Sequence, residues 1–136
     1  MFSEPEIQYL KSQHLARIAT VSQKGQPDNV PVGFEFDGKD FYVGSHDQGI
    51  FHRTLKYKNV IAGNDKVALT IDDLESVDPW RPRAIKIYGT AKVVEHKGIF
   101  GPGKYLKITP KTSWSMGIKG LKIEKGNFRL KTVHAK

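Results

Sequence analysis

A chain of 136 residues is long enough to bury one sizeable core and short for two domains, so a single domain spanning 1–136 is expected. The absence of cysteine excludes a disulfide framework and thiolate chemistry, and no run of about 18 apolar residues could cross a bilayer as a helix. The net charge of +8 is uneven: residues 1–85 hold 10 Lys and Arg against 12 Asp and Glu, residues 86–136 hold 12 against 2, so the two segments carry −2 and +10, and the later segment sets up a field that concentrates polyanions.

The opening MFSEPEIQYLKSQ contains two acids and no apolar core run, unlike a secretory or transit leader, so a cytoplasmic location is expected. Ser3, with Glu6 three residues on and Pro5 in the first turn, has the form of a capping box and predicts a short helix to about Gln13, with Ile7 and Leu10 on its apolar edge. Residues 15–21, 30–36 and 41–43 read as three strands. Ile18, Thr20 and Ser22 alternate with Ala19 and Val21, the 23–26 stretch QKGQ breaks the first pair, and Asp37-Gly38 is a hairpin signal within the second. Two consecutive hairpins make a meander, the seed of an antiparallel sheet or barrel. After a polar turn at 45–49, residues 50–62 predict a helix with Arg53, Lys56 and neighbouring Lys58 toward one edge, ended by Gly63-Asn64-Asp65.

Residues 66–71 form a β-branched run. The acid-rich, twice-proline stretch 72–83 reads as a loop, and 84–94 as a long alternating strand with Gly89 at a bulge or close approach. Residues 97–103 read as a flexible loop. Residues 105–108, 113–118, 121–124 and 128–133 read as further short strands, with Lys125-Gly126-Asn127 as the last hairpin. Seven or eight strands and one or two short helices predict a mainly β protein, a closed or nearly closed antiparallel barrel, because closure removes exposed edges.

Catalytic motifs that demand particular atoms are missing: there is no G-x-S-x-G, no H-E-x-x-H and no G-K-[ST] phosphate loop. The histidines never fall four apart on one helix. His46 and His52 flank Asp47 and could meet at a metal, but surface histidines are far commoner, so no metal centre is assigned. Asp72, Asp73, Glu75 and Asp78 could hold a hard cation; a solvated loop explains them as well. Two groups carry chemical meaning. Arg53 and Lys56, following Gly44 and Ser45, could bring a guanidinium, an ammonium and a hydroxyl to one phosphate, the alternative being surface decoration. In Trp80-Arg81-Pro82-Arg83, prolines stiffen a display of one ring and two cations suited to a planar anion, or the Trp plugs the barrel end with an Arg stacked on it.

The order of features resembles the pyridoxamine 5'-phosphate oxidase-like split-barrel superfamily, and within it the branch of F420-dependent oxidoreductases. The resemblance rests on LARIATV at 15–21, GQP at 25–27 with VPVGF at 30–34, KYKN at 56–59 ahead of KVAL at 66–69, DDL at 72–74, PWRPRAI at 79–85, GTA at 89–91 and SWS at 113–115. Each piece is weak alone; their order over nearly the whole chain is the specific part.

The resemblance implies a six-stranded split barrel that forms a homodimer, with FMN or its deazaflavin relative, coenzyme F420, in a groove between protomers. Val30, Pro31 and Val32 would run along the tricyclic ring and offer backbone hydrogen bonds. Gly44, Ser45, Arg53 and Lys56 would take the phosphate, and Trp80, Arg81 and Arg83 would sit near the ring or an acidic tail, some of them in the partner's site. The extra anions of F420 suit the +10 segment and favour it slightly. The implied activity is hydride transfer with a small organic substrate, positioned by the protein without an obligatory catalytic side chain. Two other classes stay open: a flavin carrier without efficient turnover, and, less favoured, a basic barrel that binds nucleic acid.

Overall fold

A computed structural model describes residues 2–118 and, as backbone, 129–132. Helix α1 (Glu4–Ser12) opens on the capping box: Glu6 N donates to Ser3 Oγ at 3.4 Å, and the Glu6 carboxylate accepts from Ser3 N at 2.8 Å. Its buried face is Glu6, Tyr9 and Leu10, with Ile7 only partly covered. The Glu6 carboxyl group also accepts from the hydroxyls of Ser3 and Ser115, so a buried polar side chain ties the helix to a distant strand.

The meander is present as β1 (Leu15–Val21), β2 (Pro27–Phe36) and β3 (Phe41–Val43), with β2 beginning three residues before the predicted start. Gly25 (φ +83°) and Gly38 (φ +100°) take the left-handed positions of the two turns. The predicted helix over 50–62 divides. Phe51–Arg53 is a single 3-10 turn, and Thr54, extended at ψ 149°, caps a separate α2 (Leu55–Ile61) with its hydroxyl.

The second half has fewer and longer strands than predicted. β4 (Lys66–Ser76) and β5 (Arg81–Gly98) run through most of the expected 72–83 loop, leaving only a turn at 77–80. The expected loop at 97–103 is the tip of a two-stranded ribbon, and β6 (Gly101–Met116) unites the two strands expected at 105–108 and 113–118. The acids of 72–75 survive inside a strand because arginines face them: Arg17 pairs with Asp72, and Arg83 with Asp73 and Glu75. Pro82 and Pro110 are accommodated near a hairpin and at the register shift beside Gly89 respectively. The strand at 128–133 is present as β7 (Arg129–Thr132), while the predicted strand 121–124 and the hairpin at 125–127 lie outside the described residues.

The sheet order is β3-β2-β1-β4-β5-β6-β7, and β3 also pairs with β6 through Phe41–Ile108 and Val43–Leu106, which closes a six-stranded antiparallel barrel and leaves β7 as an appendage on β6. Ile18, Phe41, Leu69, Ile71, Ile85, Ile87, Leu106 and Ile108 are among the side chains that fill it at 0% exposure. No helix among the described residues is long and apolar enough to cross a membrane.

Candidate functional site

The site begins at α2, which packs across the end of the barrel formed by the β1–β2 turn. Asn59 Nδ2 donates to Thr20 Oγ1 at 2.9 Å in the buried seam, fixing the helix against β1. This rotation buries Lys56, whose ammonium lies 5.8 Å from the centroid of Phe51. Burial pushes the Lys56 amine below its ordinary value of 10.5, opposed only by the charge of Asp28. Asp28 is opposite Thr20 in the β1–β2 register, and among the described residues no ion pair neutralises Lys56. A buried cation without a matched anion is costly, and an anionic ligand relieves that cost. Arg53, three residues earlier at the end of the 3-10 turn, is exposed.

Next to this cation lies an unusual stretch of sheet. β3 pairs with β2 only at Phe34–Phe36, so on that side Pro27 to Gly33 has no strand partner among the described residues. Val32 points into the core at 7% exposure and Val30 is partly buried against it, while Pro31 and Gly33 face outward. The residues 30–32 therefore offer a backbone edge rather than side chains. Because β3 is antiparallel to β2, the chain beyond Val43 returns along this edge through Gly44 and Ser45 toward α2. A Cβ on Gly44 would lie 2.6 Å from the Tyr105 ring, so only glycine admits that close passage. The half-buried Ser45 hydroxyl accepts from Asp47 N at 3.3 Å. Lys56 thus lies at the Thr20–Asp28 end of this edge, and Gly44 and Ser45 belong to the connection that leaves β3 beside it.

Trp80, Arg81 and Arg83 lie elsewhere. They belong to the β4–β5 hairpin beyond Arg17, toward the Leu15 end of β1 and beside α1, whereas α2 sits at the Thr20 end. Arg83 donates from Nε to Asp73 Oδ1 at 2.9 Å, with Nη2 2.5 Å from Asp73 Oδ2 and Nη1 3.3 Å from Glu75, while its guanidinium covers Tyr9 at 5.1 Å. Hydrogen bonding from Arg83 holds the Asp73 carboxyl below the usual range. Trp80 is 68% exposed in the turn, which corrects the reading of it as a barrel plug. Within one protomer these three residues do not meet Lys56. His46 and His52 are both exposed in the loop before α2.

Sequence reasoning missed two features. One is a groove of about 410 Å³ on the outer face of the sheet, lined by Ala19, Val21, Lys66, Ala68, Tyr88 and Lys111. Its signal was the cross-strand row Ala19–Ala68–Tyr88, two alanines where outer positions usually carry larger polar side chains. The other is the ribbon formed by β5 and β6, whose tip folds back on β2. There Glu35 hydrogen-bonds His96, which stacks on Tyr42 at 4.0 Å and meets the edge of Tyr105 at 5.1 Å.

The family model for pyridoxamine 5'-phosphate oxidase matches residues 3–119. The chain is 41% identical over 99 residues to a 5a,11a-dehydrotetracycline/5a,11a-dehydrooxytetracycline reductase of Streptomyces rimosus, covering 71% of this chain and 67% of that protein. Among solved structures it is similar to an F420 reductase (TM-score 0.63, 17% identity, 82% of this chain and 98% of the other). It is equally similar to the heme storage protein HutZ of Vibrio cholerae (TM-score 0.63, 14% identity, 87% and 97%). At such identities the structural likeness speaks for the fold.

Proposed function

Because the chain belongs to the pyridoxamine 5'-phosphate oxidase family, and so to an oxidoreductase family, we propose that it is an oxidoreductase that binds coenzyme F420, in preference to FMN, along the free edge of β2. The observation that carries this reading is the adjacency, among the described residues, of a buried cation without an ion pair, Lys56, to a backbone edge at 27–33 without a strand partner. A phosphorylated tricyclic cofactor needs both: an anion seat at one end and in-plane hydrogen-bonding groups along the ring. The heme-binding neighbour shares the fold, but this donor set matches a phosphate-bearing ring better than an iron ligand.

In this reading Lys56 binds the phosphate from within the seam and Arg53 from solvent. Gly44 and Ser45 line the path between phosphate and ring, and the backbone of 30–32 hydrogen-bonds the ring edge. When bound, the cofactor supplies hydride transfer with a small organic substrate. The chain contributes position and water exclusion, and no side chain on the outer face at Pro31 and Gly33 acts as an acid or base. The reductase relative supports a reducing direction, and the basic later segment of the chain supports F420, whose tail adds anions.

A homodimer belongs to the same proposal. The outer-face groove carries Val21 at 38% and Tyr88 at 48% exposure, apolar area that a second copy would cover. The hairpin bearing Trp80, Arg81 and Arg83 would then be free to approach the partner's site.

Fluorescence titration with F420 and FMN in parallel tests the proposal. Micromolar or tighter binding of F420, weaker binding of FMN and turnover with an organic acceptor are expected; binding of neither would end it. Tight binding with no reduction of any acceptor would instead support a cofactor carrier.

A further inference from the structure

Beyond Pro31 the outer face of β2 does not run out to solvent. The tip of the β5–β6 ribbon closes it. A Cβ built on Gly33 would lie 2.8 Å from Phe100 Cζ and 3.8 Å from Ile99 Cδ1, so the Phe100 ring rests directly on the backbone of Gly33, two residues along the same face from Pro31. Leu15, paired with Gly33 and 58% exposed, continues this apolar corner, and Ile99 projects above it at 55% exposure.

This tip is clamped by internal contacts. The Tyr105 side chain is fully buried, and its hydroxyl accepts from Phe100 N at 3.0 Å while donating to Gly101 O at 2.7 Å. One hydroxyl therefore holds both sides of the turn. A second fastening is the bond from His96 to Glu35, with Tyr42 stacked beneath. At Gly98 a Cβ would lie 2.6 Å from Glu35 Oε1 and 2.9 Å from the rings of His96 and Tyr105, so glycine lets the ribbon descend onto β2.

Resting on the proposal that the cofactor ring lies along residues 30–32, we propose that Phe100, backed by Ile99, is the end wall of the substrate position and determines specificity by size and polarity. The wall is apolar and offers no hydrogen-bonding group, so it selects a largely apolar acceptor whose polar groups point away from the ribbon. Tyr105 acts through Phe100 and is a positioning residue.

The wall can be read without knowing the physiological substrate. The fluorescence of bound F420, or of FMN if that is the cofactor bound, is titrated with two collisional quenchers, acrylamide and the bulkier 4-hydroxy-TEMPO. The proteins compared are the wild type, Phe100→Ala and Tyr105→Phe. The nitroxide quenching slope is expected to rise about threefold or more in both variants, the acrylamide slope much less, with cofactor affinity held within about twofold. Tyr105→Phe keeps the buried ring and loosens only the tip, so it answers even where Phe100→Ala folds poorly. Bound cofactor with unchanged nitroxide slopes in both variants would overturn the wall and leave the cofactor site standing. Failure of the wild type to bind either cofactor would remove the cofactor reading and this inference together.

Discussion

Lys56 concentrates the conflict between stability and binding in one side chain. Its folded-state pKa lies below the ordinary 10.5, so between the two values the unfolded chain binds more protons, and stability of the cofactor-free protein should rise with pH across that interval. Replacing Lys56 by methionine should stabilise the cofactor-free protein by about 1 kcal/mol in denaturant melts while weakening cofactor binding. Replacing both Arg53 and Lys56 by alanine should weaken binding by about 2 to 4 kcal/mol, and unchanged affinity would remove them from the site. Tyr9 illustrates a different use of burial. Desolvation first, and its 2.9 Å bond to Asp73 second, push its hydroxyl well above 10. Its contribution to stability is therefore complete below pH 10 and lost as pH rises further. The contribution of Asp73, held low by Arg83, is complete above about pH 4 and lost in acid. Thermal melts should show stability falling below about pH 4, and Tyr9→Phe should lower stability at neutral pH by about 1.5 kcal/mol while flattening the decline above pH 10.

At the level of elements, what the chain disclosed was what local rules control. Ser3 and Glu6 announced α1, Gly25 and Gly38 announced the meander turns, and Gly89 announced a close approach. A Cβ there would lie 2.5 Å from Thr109 O, where the β5–β6 register shifts. Gly89→Val should accordingly cost about 3 kcal/mol in chemical denaturation, a price ordinary strand positions do not carry. Longer-range pairing was not legible. Asp72, Asp73 and Glu75 argue for a loop until Arg17 and Arg83 are seen opposite them, and the glycines at 98–103 argue for flexibility until Tyr105 is seen holding their turn. The candidate site divides in the same way. Arg53 and Lys56 were singled out as three apart on one helix, whereas Thr54 separates a 3-10 turn bearing Arg53 from the α2 that bears Lys56, and the burial of Lys56 and the open edge of β2 among the described residues depend on how α2 and β3 dock, which no local pattern encodes. Trp80, Arg81 and Arg83, which the resemblance places near the ring or an acidic tail and partly in a partner's site, lie at the α1 end of the barrel within one protomer, and which end a hairpin reaches is set by strand register that no local pattern encodes.

For the whole molecule, the proposed homodimer makes the outer groove the place to intervene. Ala68 stands in its floor between Ala19 and Tyr88. Ala68→Glu leaves the core untouched, and if a second copy covers this face it should convert the dimer to a monomer in sedimentation runs and abolish cofactor binding with little loss of monomer stability. An unchanged sedimentation coefficient would place the interface elsewhere.

Barrel closure has a kinetic consequence as well. The pairs that complete the ring, Phe41–Ile108 and Val43–Leu106, join residues more than sixty positions apart, whereas the β1–β2, β4–β5 and β5–β6 hairpins need only local loops. Loop-closure entropy must be met before the distant contacts return anything, so the hairpins, β2–β3 among them, form early and the β3–β6 seam closes last. Until that moment the interior is an open sheet with two unsatisfied edges. The strand that finishes the barrel is also the one whose shortness leaves β2 without a second strand partner beside Lys56 among the described residues, so one three-residue strand both shuts the ring and leaves open the edge proposed for the cofactor.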